Sequence, residues 1–182
     1  MMKFYKTLCF TLIALMALSS CSKNKSSIKK GTWSLTAYNY EAFSPTTIGA
    51  SDGYSNYVGM LESDNFEIEF LKDSYIMTGE YILEQETSAS VIFGEEEDTI
   101  TTTIVSKVTV EDNILTGNWD VEGDILSGVV FQPSIVLFGG NDYVLSTDYI
   151  IAELDKNTLQ LTFDAVQDND RVSGTLIFEK KD

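Results

Sequence analysis

Phe66-Glu67-Ile68-Glu69-Phe70, then Leu71-Lys72-Asp73-Ser74, then Tyr75-Ile76-Met77-Thr78-Gly79 is the stretch that decides the fold class. Large apolar side chains recur at every second position and glutamates fill the gaps. That period of two predicts a strand with one dry face and one wet face. Lys72-Asp73 marks a tight turn, after which Tyr75, Met77, Gly79, Tyr81 and Leu83 resume the alternation. Pairing Phe70 with Tyr75 and Ile68 with Met77 gathers the apolar groups on one side and leaves the acids outside, with Phe66 opposite Gly79.

The same rhythm extends in both directions. Upstream, Trp33, Leu35 and Ala37 alternate with Thr32, Ser34 and Thr36. Downstream, Ile100, Thr102, Ile104, Ser106, Val108 and Val110 predict a long strand. Leu115, Gly117, Trp119 and Val121 turn through Gly123-Asp124 into Leu126, Gly128 and Val130, a hairpin in which Val121 meets Leu126 and the Trp119 ring covers Gly128. After Pro133, Ile135 to Phe138 is a short apolar run. Ile150, Ala152 and Leu154 pass through Asp155-Lys156-Asn157 to Leu159, Leu161 and Phe163, and pairing Leu154 with Leu159 aligns all six on one face. Asp164 to Arg171 reads as a polar connection to a last strand carrying Gly174, Leu176 and Phe178.

Two segments break the pattern. Residues 41–65 contain Pro45, Gly49, Gly53 and Gly59 and read as a long loop with a short strand near Tyr57 to Leu61; long loops in compact domains are often functional. Gly94-Glu95-Glu96-Glu97-Asp98 reads as a solvated hairpin tip, because calcium loops need ligands at defined spacing. About eight to ten antiparallel strands with short turns and no helix of consequence predict an all-β domain. The expected architecture is an antiparallel up-and-down β-barrel, with a β-sandwich as the alternative.

The N-terminal residues follow other rules. Lys3 and Lys6 precede an apolar run from Leu8 to Leu18, and small Ser19 and Ser20 lead to Cys21. A charged start, a short apolar stretch and a small-residue exit predict a secretory signal peptide over 1–20. The run is too short for a membrane-spanning helix, which needs about 20 apolar residues. The segment 21–30, with Lys23, Lys25, Lys29 and Lys30 and no acid, reads as a basic tether whose lysines can lie against anionic headgroups. Residues 31–182 are left as one domain, large enough for a core of its own.

Composition narrows the chemistry. Histidine is absent, which removes Ser-His and Cys-His nucleophile pairs, histidine bases and the commonest transition-metal ligand. All 28 acidic residues follow Gly31, against the bases Lys72, Lys107, Lys156, Arg171, Lys180 and Lys181. Such a body repels phosphate backbones, so no nucleic-acid partner is expected. Cys9 lies in the signal and Cys21 is the single cysteine after it, so no intrachain disulfide is expected. No cofactor and no metal site are expected. The Asp164, Asp168 and Asp170 spacing matches no cation motif.

Leu18-Ser19-Ser20-Cys21 resembles the lipobox of bacterial lipoproteins. The resemblance implies that Cys21 is the lipid-attachment residue, diacylated on sulfur and bearing palmitate-type chains, and that it becomes the new N-terminus. Ser22 rather than an aspartate implies the outer membrane. A basic rather than acidic Ser22-Lys23-Asn24-Lys25 favours the periplasmic face over the cell surface.

Gly31-Thr32-Trp33 resembles the Gly-x-Trp opening of lipocalin-like barrels, a domain carried by small Bacteroidetes-type lipoproteins. Gly117 to Leu126, Leu154 to Leu161 and Gly174 to Lys180 are similar to its later strands, so the short matches span most of 31–182. The resemblance implies that Trp33 closes the barrel floor, with Lys180 or Lys181 stacked on it where an arginine is usual. It also implies an interior open to a small hydrophobic ligand, with Tyr75, Tyr81 and Trp119 as candidate walls. The expected function is that of a non-enzymatic, lipid-anchored cell-envelope protein binding a small hydrophobic ligand or a partner. The alternative is an interaction protein that recognises a protein or glycan through its acidic face or the 41–65 segment, around a barrel filled by side chains.

Overall fold

The computed structural model describes residues 24–29, 31–48, 51–93, 96–110, 116–136, 142–145, 148–167 and 169–181. Apart from one helical turn over residues 24–28, the regular structure in them is all β. The strands are β1 (Thr32–Ile48), β2 (Ser51–Asp64), β3 (Glu67–Phe70), β4 (Ser74–Phe93), β5 (Glu96–Val110), β6 (Thr116–Asn118) and β7 (Asp120–Glu122). They continue with β8 (Ile125–Ser127), β9 (Phe131–Val136), β10 (Asp142–Leu145), β11 (Tyr149–Leu154), β12 (Thr158–Gln167) and β13 (Asp170–Lys180). The main antiparallel sheet runs β2-β4-β3-β1-β13-β12-β11-β8-β7, with β5 and β6 also on β4, β1 also on β2, and β9 paired with β10 alone.

The deciding stretch folds as its pattern dictates. β3 and β4 pair Phe70 with Tyr75 and Ile68 with Met77, and Leu71 N donates to Ser74 O at 2.8 Å to close the turn. All four side chains are buried, each contributing about 1.5–3 kcal/mol. Val121 faces Leu126 and Leu154 faces Leu159, as expected. The end of the sheet that carries the β3–β4 turn is the base.

The segment 41–65 is a hairpin instead of a loop. β1 and β2 pair without a break from Asn39↔Met60 to Ile48↔Ser51. Pro45 is tolerated because β1 pairs with β13 only as far as Phe43, so a missing N–H on that side costs no ladder bond. Gly59 is a packing slot: a Cβ there would stand 2.0 Å from Tyr40 Cε1, because the Tyr40 ring lies across it. Similarly, 164–171 is mostly strand, with Gln167 paired to Asp170. In the acidic run, Glu96 already pairs with Phe93, and Gly94 and Glu95 lie outside the described residues.

Other departures come from bulges. Thr36 is an extra residue between Leu35↔Phe178 and Ala37↔Ile177, so the inward set passes from Trp33 and Leu35 to Tyr38, Tyr40 and Ala42. A second bulge between Ile151 and Glu153 turns Tyr149 and Ile151 inward and leaves Ile150 exposed, so the six residues expected on one face are not together. Near the first bulge, β2 gives way to β3. Leu35 N donates to Phe66 O at 3.0 Å, and Asn65 brackets Glu80 through Asn65 N to Glu80 O and Glu80 N to Asn65 Oδ1. Gly79 has φ +90° there, and a Cβ would meet Asn65 O at 2.2 Å. Irregularities on adjacent strands bend and twist the sheet at one level.

Cys21 lies outside the described residues. The described part of the expected tether is folded onto the domain. Trp33 Nε1 donates to Ile28 O at 2.9 Å and Ile28 is buried. Asn24 Nδ2 donates to Gly123 O and to Asp124 Oδ1, and Lys25 Nζ donates to Asp120 Oδ1 at 2.7 Å. A single buried isoleucine in a five-residue turn leaves no periodicity to read, and the partners of Asn24 and Lys25 are about a hundred residues away.

Candidate functional site

Every second residue of a strand faces outward, and the registers arrange these residues in rows across five strands. One row is Glu84 (β4), Met60 (β2), Asn39 (β1), Thr175 (β13) and Thr162 (β12). The next is Glu86, Val58, Glu41, Ser173 and Asp164, and the third is Ser88, Asn56, Phe43, Arg171 and Val166. Met60 is 52 % exposed, Val58 46 % and Phe43 43 %. Phe43 also stacks on Tyr54, with ring centroids 5.9 Å apart and planes inclined by 26°.

These rows enclose two adjoining troughs. One, of about 400 Å³, is lined by Asn39, Tyr40, Glu41, Val58, Met60 and Ser173 among others. The other, of about 490 Å³, holds Phe43, Asn56 and Arg171 as well as Glu41, Val58 and Ser173. Arg171 is the only arginine of the chain. Its Nε and Nη2 donate to the two Asp164 oxygens at 2.9 and 2.6 Å. That fork holds the Asp164 carboxyl below its ordinary pKa and raises the guanidinium. An apolar centre containing aromatic, methionine and arginine side chains within a polar rim is the composition of a protein-recognition surface.

Beneath this face the core is aromatic. Tyr38 packs edge-on against Tyr81 at 6.2 Å and Phe163 at 6.4 Å, and Tyr149 meets Phe131 at 5.1 Å and Phe163 at 5.9 Å. Tyr40 Oη donates to Gln85 Oε1 at 2.6 Å, and Gln85 Nε2 donates to Thr87 Oγ1. Among the described residues, the buried hydroxyls of Tyr38, Tyr81 and Tyr149 have no hydrogen-bond partner. The Phe131 amide acts on Tyr149 without meeting hydrogen-bond geometry. Burial first, and the neighbouring phenols second, raise the pKa of Tyr38 and Tyr81; burial likewise raises Tyr149.

The residues expected to form ligand walls are dispersed. Tyr81 belongs to the aromatic core. Tyr75 sits near the base, its Oη accepting from Val130 N at 3.3 Å. A buried indole N–H needs acceptors, and Trp119 Nε1 donates to Leu71 O and Ser74 O while the ring meets Phe70 edge-on at 4.8 Å. Lys25 and Lys29 stand over that ring. Trp33 is buried with Lys180 Nζ 5.7 Å from its ring centre. Phe43, Val58, Met60 and Arg171 escaped the sequence reading. The signal available was a lone arginine opposite a phenylalanine, visible only once the register is known. No protein-family model, curated protein or solved structure matches the chain.

Proposed function

We propose that this chain is a lipid-anchored, non-enzymatic envelope lipoprotein that recognises a protein partner through the outer face of its β1–β2 hairpin. The observation that carries the reading is the exposed Phe43, Val58 and Met60 around Arg171, outside a core already occupied by large rings. Outward Glu41, Glu84, Glu86 and Asp164 ring the centre, so the complementary partner offers an apolar knob within a basic rim. The anchor rests on the signal and Cys21, with the outer membrane and its periplasmic face as the expected site.

The scaffold is read as a closed barrel. Strand β6 pairs with β4 while β7 pairs with β8, and only Trp119 separates β6 from β7. Taking β2 with β3 and β6 with β7 as single bent strands gives a ring of β1, β2–β3, β4, β6–β7, β8, β11, β12 and β13. A barrel of about eight strands is just wide enough for side chains to fill.

Photocrosslinking from position 58 on intact envelopes tests the recognition face. A protein adduct is expected, and Phe43→Ser with Met60→Ser abolishes it while changing stability by no more than about 0.5 kcal/mol, as surface changes do. An adduct that survives both substitutions, or one carrying carbohydrate alone, overturns the reading.

The orphaned Tyr38, Tyr81 and Tyr149 hydroxyls favour a second reading, an interior site for a small, mainly apolar ligand with a neutral hydrogen-bond acceptor. An anion is disfavoured because desolvating a charge without a cationic partner is costly. Native mass spectrometry of protein extracted from its membrane tests it; a protein that carries no added mass counts against it.

A further inference from the structure

Strand β5 is 15 residues long, and among the described residues it is hydrogen-bonded to β4 alone. No other described strand pairs with its far side. A strand left unpaired on one side presents a row of free N–H and C=O groups, a template for a further strand. Natural edges are protected by brevity, bulges, prolines or charges along their length. β5 has none of the first three. Its ladder with β4 keeps one register from Gly79↔Val110 to Phe93↔Glu96, and Glu96 to Val110 contain no proline or glycine. Charged residues stand only near the two ends: Glu96, Glu97 and Asp98 at one, Lys107 at the other. Between them, Thr99-Ile100-Thr101-Thr102-Thr103-Ile104-Val105-Ser106 is uncharged and rich in strand formers, the composition that pairs most readily.

The order of residues along this edge is self-complementary. A second copy aligned antiparallel about a two-fold axis at Thr102 sets Thr102 opposite itself, Ile100 opposite Ile104 and Glu97 opposite Lys107, the last two pairings occurring on both sides of the axis. Apolar and opposite-charge pairs across strands stabilise a sheet. Glu96 falls opposite Val108 and Asp98 opposite Ser106, so no acid meets an acid. That matters in a chain of formal net charge −16, whose copies otherwise repel. Shifting the axis to Thr103 sets Lys107 opposite Thr99, and shifting it to Thr101 carries Lys107 beyond the start of β5. Parallel pairing in register sets Lys107 beside Lys107 and Glu97 beside Glu97, which like-charge repulsion opposes.

We infer that the free edge of β5 is an interaction surface for a second copy of this chain, the two strands joining antiparallel about Thr102 into one continuous sheet. The contact uses the same patch on both copies, so it closes at a dimer. Thr102 pairs with buried Thr87 on β4, and Thr103 with exposed Glu86, so each sheet has a distinct inner and outer face at the join. A two-fold axis normal to the sheet keeps both outer faces on the same side. The β2 strands then lie beyond β4 on either side of the paired β5 strands. The inference stands independently of the lipid anchor and of the recognition face.

Charge reversal in the full chain, followed by sedimentation in detergent at micromolar concentration, tests this. The unaltered chain is expected to sediment as a dimer. Glu97→Lys alone and Lys107→Glu alone should each weaken the dimer severalfold, and the two together should restore it, because the reversed charges again face each other. Thr102→Cys tests the register and is conservative enough to keep the test intact should a reversal fail to fold. Mild oxidation should join two copies through position 102 severalfold faster than through Thr109→Cys, with peptide mapping separating these links from any at Cys21. A monomer, a dimer indifferent to both reversals, a dimer that the double reversal does not restore, or faster joining at position 109 overturns the inference.

Discussion

The lower and upper halves of the sheet have opposite dress. Near the base, Trp33, Leu35, Ile68, Phe70, Met77 and Phe178 point inward and Glu67, Glu69 and Glu179 point outward. In the upper half, Ser44, Ser55, Gln85, Thr87 and Ser90 are buried, while Phe43, Val58, Met60 and Val166 are exposed. The lower half follows the ordinary division that burial energetics impose. The upper half departs from it on both faces at once, and a soluble sheet gains nothing from that arrangement by itself. The difference separates the part that holds the fold from the part proposed to recognise a partner.

The contrast is broken most severely from below. Phe70→Ala removes a buried ring that abuts Trp119, and a loss of about 3–5 kcal/mol in urea unfolding is expected. A comparable loss from Met60→Ser would erase the distinction between the halves.

The boundary between the halves can be sharpened by changes of a single oxygen. Tyr38→Phe and Tyr81→Phe each delete an unpartnered buried hydroxyl and should raise stability, by about 1–3 kcal/mol if the full desolvation cost is recovered. Tyr40→Phe leaves Gln85 Oε1 without its donor and should lower stability by a similar ~1–3 kcal/mol. Opposite signs in thermal unfolding are the expected result; a loss at Tyr38 would mean that its hydroxyl is partnered in solution.

The smallest effect concerns the docked N-terminal turn. The hydrogen bond from Lys25, helped by the Val121 amide, holds the Asp120 carboxyl below its ordinary value of 3.8. A depressed carboxyl pKa contributes stability above the unfolded value, and that contribution is lost as pH falls through the folded one. The protection factor of the Lys29 amide, which is bonded to Lys25 O, should therefore fall in acid and in Asp120→Asn at neutral pH, once the intrinsic pH dependence of amide exchange is divided out. Acid-independent protection would show that Ile28 and Asn24 hold the turn without Asp120.

How much could be read from sequence follows the same division. The hairpins around Lys72-Asp73, Gly123-Asp124 and Asp155-Lys156-Asn157 were legible because period two and turn chemistry are local. The β1–β2 hairpin was hidden because serines fill inward positions and Gly59, which resembles a loop residue, is space for the Tyr40 ring. The phase of β11 was missed because a bulge leaves no mark in composition. The exposed apolar face proposed for recognition was legible only as an unusual segment, since its rows exist across strands and not along them.

Thr36 shows how narrowly the outer face is specified. That one surplus residue works like an inserted letter in a message read two letters at a time. Everything on β1 before it is parsed odd-inward and everything after it even-inward. Running β1 through Thr36 without the bulge would leave the letters unchanged and reverse their sense, sending Tyr38, Tyr40 and Ala42 to solvent and driving Asn39, Glu41 and Phe43 into the core. Most point substitutions along β1 are local edits to one face or the other. The identity of each face depends on the count of residues before it.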